Sequence, residues 1–209
     1  LEKCESLTAI EIDKDLIRFL KKAYGDRKNF NLIEKDILLY DPKELVRVNK
    51  LIGNIPYNIS TPIIEWIIDN KSSFDEIFLM LQKEFGERCV AQPNTKSYGR
   101  LSIFVQCFFD VTVIREVDKS SFDPSPKVQS IFLKLIPKVS EMTPNSILMK
   151  NLSTLTREAF SKRRKLITNS LKSFFTEEDL VNLGVERKSR PENLSVETYI
   201  KLAKSIQSG

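Results

Sequence analysis

Among its 209 residues the chain has no histidine. Without imidazole there can be no Ser-His-Asp triad, no histidine proton shuttle and no zinc site of the His-bearing kinds. Its three cysteines, Cys4, Cys89 and Cys107, are widely spaced and form no C-x-x-C pair, so neither a metal centre nor a disulfide framework is expected, only reduced and buried thiols. No apolar run reaches the roughly 18 residues that cross a bilayer, and the opening "LEKCESLTAI" has no signal-peptide layout. A cytoplasmic protein without a membrane partner is the expectation. Glycines number only six, and no G-x-G-x-x-G or similar run occurs among them. A doubly wound nucleotide-binding fold normally opens with such a turn. Its absence means that the fold binds no nucleotide or that the chain starts one unit late.

What is present suffices for a packed core: 41% of residues are hydrophobic, 9% aromatic and 29% charged. That is not the composition of a disordered chain. The net charge of +5 is unevenly placed. Lys plus Arg against Asp plus Glu number 20 and 20 over residues 1–137, and 13 and 8 over residues 138–209. The excess lies in the last third, which points to two regions with different jobs and to an anionic partner touching the second.

Along the chain, "SLTAIEID" is a short apolar run ending in acids, as a buried parallel strand does at its carboxyl end. "KDLIRFLKKAYG" then has helical spacing, "FNLIEKDILLYD" and "KLIGN" read as strands, "TPIIEWIIDN" as a helix and "FDEIFLMLQ" as a fourth strand. This alternation predicts a doubly wound α/β sheet. "KEFGERCVAQ" reads as a helix and "NTKSYGRLS" as a loop. "LSIFVQCFFDVTVIREV" fits a helix or a strand, followed by a strand, and its period does not separate the two. After a Pro-rich turn, "KVQSIFLKLIP" alternates as a strand. The rest is helical, with one helix expected over "LSTLTREAFSKRRKLITNSLKSFF", and a boundary near residues 137–143 is expected to divide a sheet domain, 1–139, from an all-helical one, 140–209.

In open parallel sheets, ligands bind outside the carboxyl ends of the strands. The residues there are Glu11, Asp36 and Asn54. A carboxylate after one strand can accept from both hydroxyls of a ribose, and Asp36 can take the exocyclic amine of an adenine. Equally, Glu11, Asp13 and Asp36 read as solvated acids near helix starts. The tetrapeptide Asn54-Ile55-Pro56-Tyr57 sharpens the choice, although Asn, Gly and Pro also punctuate ordinary turns. The exocyclic amine of a nucleobase is a poor nucleophile because its lone pair is delocalised into the ring. An enzyme helps by accepting both N–H bonds, here with the Asn54 side-chain carbonyl and a backbone carbonyl such as that of Ile55, while Pro56 fixes the backbone and Tyr57 stacks on the base. An acceptor of this kind needs only a methyl sulfonium donor, so the lack of histidine is no obstacle.

These residues resemble the KsgA-type ribosomal RNA adenine dimethyltransferases, and the resemblance covers essentially the whole chain in order. It rests on "AIEID", "EKDIL", "GNIPYNIS", "LQKEFGERCVAQPNTKSYGRLS", "FDPSPKVQS", "REAFSKRRKLITNSL" and "NLSVETYIKLAK". The resemblance implies a Rossmann-like methyltransferase sheet with a small C-terminal helical domain. The implied reaction is methyl transfer from S-adenosylmethionine to N6 of adenines in small-subunit (16S) rRNA, without a metal. Implied cofactor contacts are Glu11, Ile12, Asp36, Ile37 and Asn54. Implied catalytic residues are Asn54, Ile55, Pro56 and Tyr57, with Phe122 closing over a flipped adenine. Lys162, Arg163, Arg164 and Lys165 of the basic helix, with Lys96, Arg100 and Lys127, would contact phosphates. A monomer is expected. Two other readings stand beside this one: the branch acting on large-subunit rRNA, which shares "NIPYNIS", and a non-catalytic rRNA-binding assembly factor. Family members begin with an arm, a first strand and a Gly-rich turn that do not precede Leu1, so the chain is expected to be an N-terminally truncated fragment with weak or absent cofactor binding and no turnover.

Overall fold

The computed structural model describes residues 2, 4–44, 50–123, 126–139 and 146–206; Pro124 and Ser125 of the expected turn and residues 140–145 of the expected boundary lie outside them. The chain divides into two compact units, residues 1–46 and 47–209. The boundary expected near 139 falls inside the second.

The first unit is one β-α-β turn. Strand β1 (Leu7–Glu11) and strand β2 (Phe30–Glu34) pair in parallel, from Leu7 opposite Phe30 to Glu11 opposite Glu34. Between them runs helix α1 (Lys14–Tyr24), which Asp13 caps by accepting from the N–H groups of Asp15 and Leu16 at 2.8 and 3.1 Å. The cap satisfies two backbone donors that the helix leaves open at its start. Asp13 is therefore a structural acid. Both strands end on the same side, so Glu11 and the segment beginning at Asp36 emerge together, tied by the Lys35 N–H donating to the Glu11 carbonyl at 3.1 Å.

The second unit is built on a four-stranded sheet of order β3-β4-β6-β5, with β3 (Lys50–Asn54), β4 (Glu76–Gln82), β5 (Phe109–Val117) and β6 (Ser130–Pro137). The expected parallel winding holds for β3 and β4, which are joined through helix α2 (Ser60–Asp69). The other two strands depart from it: β6 is antiparallel to both β4 and β5. A direct β5–β6 connection has no crossover helix, so antiparallel pairing follows. Period-two burial along β4 puts Ile77, Leu79 and Leu81 wholly inside, opposite Leu135, Leu133 and Ile131 of β6, and Ile63 and Ile67 of α2 are buried as well.

Residues 101–117, ambiguous by period, form helix α4 (Arg100–Phe108) and then β5 without a loop. The change falls where the β-branched run Val111-Thr112-Val113-Ile114 begins to favour an extended chain that β6 can pair. Helix α3 (Lys83–Val90) precedes it.

Helices α5 (Ile147–Ser161), α6 (Ile167–Ser170), α7 (Glu177–Asn182) and α8 (Val196–Ser205) follow. Leu152, Leu155 and Ala159 of α5 and Tyr199, Leu202 and Ala203 of α8 are fully buried. The single helix expected over residues 152–175 is not formed. It stops at Ser161, the basic run 162–165 makes a turn closed by the Lys165 N–H on the Lys162 carbonyl at 2.8 Å, and α6 begins at Ile167. Consecutive like charges gain nothing from helical stacking, whereas leaving the helix lets Arg163 reach three oxygen acceptors elsewhere in the fold.

Candidate active site and nucleic-acid interface

At the carboxyl end of β1, Glu11 folds its Oε1 back to accept from the N–H groups of Ile12 and Asp13, at 2.7 and 2.8 Å. The carboxylate is held at the strand end and half-buried, with Ile12 beside it 65% exposed. Past β2, Asp36 caps a single 3₁₀ turn by accepting from the Leu38 N–H at 2.9 Å, and Ile37 is half-buried within that turn. So the four residues of this unit expected to contact a cofactor do cluster at one end of it. Their donor set, one carboxylate at each of two strand ends with an apolar side chain next to each, suits the hydroxyls, amine and ring face of an adenosine.

In the second unit, Asn54 is the last residue of β3, opposite Met80 in β4. The strand pairing continues one step further through the Ile55 N–H, which donates to the Met80 carbonyl at 3.0 Å. Ile55 is buried, and its side chain packs against Gly53 so closely that a side chain at position 53 would require it to shift. A Cβ there would lie 2.6 Å from Ile55 Cδ1. Pro56 then opens a 3₁₀ turn over Tyr57–Ile59, whose Tyr57 carbonyl accepts from Ser60 Oγ at 3.1 Å as α2 begins. The result is an exposed Asn54 amide and a Tyr57 ring that is 38% exposed, on a backbone braced by strand, proline and helix start.

Phe122 lies in the β5–β6 connection. Val117 of β5 and Gln82 of β4 both pair with Ser130 of β6, so this connection leaves the sheet at the end where β3 and β4 terminate. The sheet thereby brings the Asn54 tetrapeptide and the Phe122 segment to one end. Phe122 is half-buried behind a 3₁₀ turn capped by Asp118, and Lys127 of the same connection is exposed. Both stems of the connection are clasped by Lys83. Its Nζ donates to Glu116 Oε2 at 2.7 Å and to Gln129 Oε1 at 3.5 Å, while its N–H donates to the Gln129 carbonyl at 2.9 Å.

Apart from Lys127, the expected phosphate contacts separate into two groups. Lys162, Arg164 and Lys165 are exposed on the turn after α5. Lys96, Arg100 and Arg163 instead line one cavity of about 600 Å³ together with Glu84, Arg88, Tyr98 and Phe160. Arg88 is not among the residues that the sequence motifs single out. The signal available is its place four residues after Glu84, on the outward face of a helix whose neighbour Cys89 is wholly buried. Glu192, which holds Arg163, gives no local signal, because the two are 29 residues apart. Among the described residues no cluster of His, Cys, Asp and Glu suits a metal ion, and no helix is long and apolar enough to cross a membrane.

A family model described as "Ribosomal RNA adenine dimethylase" matches residues 1–208. The chain is 38% identical to the Ribosomal RNA small subunit methyltransferase A of Legionella pneumophila (strain Corby), covering 100% of this chain and 81% of that protein. It is 39% identical to the protein of the same name from Buchnera aphidicola subsp. Acyrthosiphon pisum, over 97% of this chain and 75% of that one. Among solved structures, a dimethyladenosine transferase from Plasmodium falciparum superposes with a TM-score of 0.77 at 30% identity, covering 94% of this chain and 80% of that chain. The 23S rRNA methyltransferase ErmE superposes with a TM-score of 0.73 over 98% of this chain and 83% of its own, but at 21% identity this shows a shared fold alone. With a family match along nearly its whole length and relatives 38–39% identical over 97–100% of it, the chain belongs to the ribosomal RNA adenine dimethylase family.

Proposed function

We propose that this protein transfers methyl groups from S-adenosylmethionine to N6 of adenines in small-subunit (16S) rRNA, giving dimethyladenosine during ribosome biogenesis. The observation that carries the reading is the Asn54-Ile55-Pro56-Tyr57 turn at the end of strand β3, sharing its sheet end with the Phe122 connection. The small-subunit methyltransferases that the chain resembles at 38–39% identity support the choice of subunit. A ribosomal substrate goes with a cytoplasmic location and needs no membrane partner, and a monomer suffices.

When bound, S-adenosylmethionine supplies an electrophilic methyl group. In the first unit, Glu11 would hold its ribose, Asp36 its adenine amine, and Ile12 and Ile37 its ring face. In the second, Asn54 is also a cofactor contact. Its side-chain carbonyl and the Ile55 carbonyl accept the two N–H bonds of the target amine, which localises the nitrogen lone pair. Pro56 holds these acceptors in place. Tyr57 and Phe122 offer ring faces to a base withdrawn from its stack, each such contact being worth roughly 1–3 kcal/mol. Lys127, Lys162, Arg164 and Lys165 supply phosphate contacts, the last three from the helical region, residues 140–209, while residues 1–139 carry the methyltransferase chemistry.

The test is transfer of labelled methyl groups to unmethylated small ribosomal subunits, by this chain and by a version extended with a relative's N-terminal segment. Activity is expected in the extended version, on small-subunit adenines, falling about a hundredfold or more with Asn54→Ala and less with Tyr57→Ala or Phe122→Ala. Full activity of the Asn54→Ala variant would end the assignment, and modification of large-subunit RNA instead would correct the substrate.

A further inference from the structure

Lys83 stands where neither stability nor helix formation calls for a lysine. Resting on the adenine-methylating reading above, we propose that Lys83 is a positioning residue for methyl transfer: through Glu116 and Gln129 it holds the β5–β6 connection in the shape that presents Phe122 to the target base.

Lys83 is the first residue of α3. A cation there faces the positive end of the helix dipole, which disfavours it. Its ion pair with Glu116 joins two side chains that are 31% and 57% exposed, and a pair so open to water contributes little to stability. Placement is what the bonds of Lys83 achieve. Glu116 lies on β5, before the connection, and Gln129 lies at its far end, one residue ahead of β6. One ammonium thus bridges the two stems, donating to Glu116 Oε2 at 2.7 Å and to Gln129 Oε1 at 3.5 Å. The hydrogen bond to Glu116 raises the pKa of Lys83 above the ordinary 10.5, so the bridge stays charged at neutral pH.

The bridge reaches Phe122 through Asp118. With its Oε1 turned to Lys83, the Gln129 amide has its N–H groups left to donate to a carboxylate. The Asp118 carboxyl is held below the usual range by the Ser120 N–H and hydroxyl first, and by the Gln129 side chain after them. Asp118 accepts from the Ser120 N–H at 2.9 Å and so starts the 3₁₀ turn Lys119–Ser121, on whose Lys119 carbonyl the Phe122 N–H closes at 3.3 Å. A continuous set of contacts therefore runs from Glu116 through Lys83, Gln129 and Asp118 to the backbone of Phe122. A stacking ring contributes only in the orientation that the base needs, and fixing its backbone beforehand removes the ordering cost at the moment of binding.

The place of Lys83 in the chain links this connection to the acceptor amide. Strand β4 ends at Gln82, immediately before Lys83, and within the same strand Met80 stands opposite Asn54. One strand thereby sets both halves of the site, Asn54 through its pairing with β3 and Phe122 through the Lys83 bridge. Because the charge of Lys83 is already matched by Glu116, it is spent inside the protein rather than offered to a phosphate.

The experiment measures kcat and KM for methyl transfer to unmethylated small ribosomal subunits by the extended chain described above. The variants are Lys83→Met, Lys83→Arg, Phe122→Ala and Lys83→Met with Phe122→Ala, and hydrogen exchange is followed at the amides of Ser120, Ser121 and Phe122. Lys83→Met is expected to lower kcat about tenfold, to leave KM within about twofold, and to speed exchange at the three amides. Lys83→Arg, whose planar fork serves both acceptors, should recover most of the loss. The double variant should be no slower than Phe122→Ala alone, because Lys83 acts through that ring. Losses that multiply in the double variant would overturn the proposal, as would unchanged exchange or unchanged kcat in Lys83→Met. A raised KM, with the slope of log K against log salt lowered by about 0.7–0.9, would make Lys83 a phosphate contact instead. If Lys83→Met does not fold, Glu116→Gln weakens the same bond from the other side and is read in the same way. Failure of the underlying reading looks different: no transfer to small-subunit adenines by the unsubstituted extended chain would remove the reaction, and the positioning role with it, whatever exchange shows.

Discussion

At the scale of single residues, the most consequential assignments depend on groups whose hydrogen bonds are local and complete. Tyr98 is 1% exposed, and its hydroxyl reaches the Leu194 carbonyl across 96 residues of sequence, joining the loop before α4 to the segment before α8. Burial pushes its phenol well above the usual range, so it remains a neutral donor throughout the physiological pH span. Tyr98→Phe keeps the ring and leaves a buried carbonyl unmet. We expect it to cost about 1–2 kcal/mol in denaturant titrations, read as a lowered midpoint at constant slope. An unchanged midpoint would show that the bond contributes nothing net. The contrast with Tyr57 is one of environment: one tyrosine is buried with a fixed partner, the other stands partly open at a strand end where a base can reach it.

Strands and helices are held by their own devices. Glu76 opens β4 and pairs with Lys50 of β3 and Lys134 of β6, so one carboxylate ties three adjacent strands together. The hydrogen bond from Lys134, then that from Lys50, lowers its pKa below the ordinary 4.5. A carboxyl depressed in the folded state adds stability that is fully present above its unfolded pKa and is lost as pH falls through the folded value. Thermal stability should therefore drop as the pH is lowered below about 4.5, and Glu76→Gln should flatten that part of the profile. Melting curves of the two proteins between about pH 3 and pH 7 decide the point, and parallel profiles would discount the carboxylate. At the opposite end of the same strand lies the Lys83 clasp on the Phe122 connection, so β4 is secured at one end for stability and at the other for geometry.

For the whole molecule, charge placement is the governing feature. Three exposed cations, Lys162, Arg164 and Lys165, stand on a turn rather than on a helix, each open to solvent within four residues of chain. Their replacement by Glu should weaken binding to ribosomal subunits steeply at low salt and far less at high salt, because the loss is one of counterion release. Equal binding by the triple variant across salt concentrations would remove this turn from the interface. Methyl transfer at saturating subunit should change much less, since none of the three belongs to the strand-end chemistry.

By itself the sequence determined the local elements and the chemistry. Apolar runs ending on acids identified β1 and β2, and the Gly-Asn-Ile-Pro-Tyr string marked the end of β3, because strand periodicity, proline and glycine act over a few residues. The lack of histidine means that these 209 residues carry no imidazole chemistry of their own. Tertiary structure decided the rest. The helix expected through the basic run breaks at Ser161 because Arg163 finds its partners at residues 95, 96 and 192, and no local pattern encodes a bond across 67 residues. The period of residues 101–117 does not separate helix from strand, and the choice is made by β6, which offers an edge for β5 to pair. Likewise Arg88, Lys96, Arg100 and Arg163 come to line one cavity only when folding brings α3, the 96–100 segment and the end of α5 together. Propensity acts along the chain, whereas a binding site is a property of surfaces that only packing assembles.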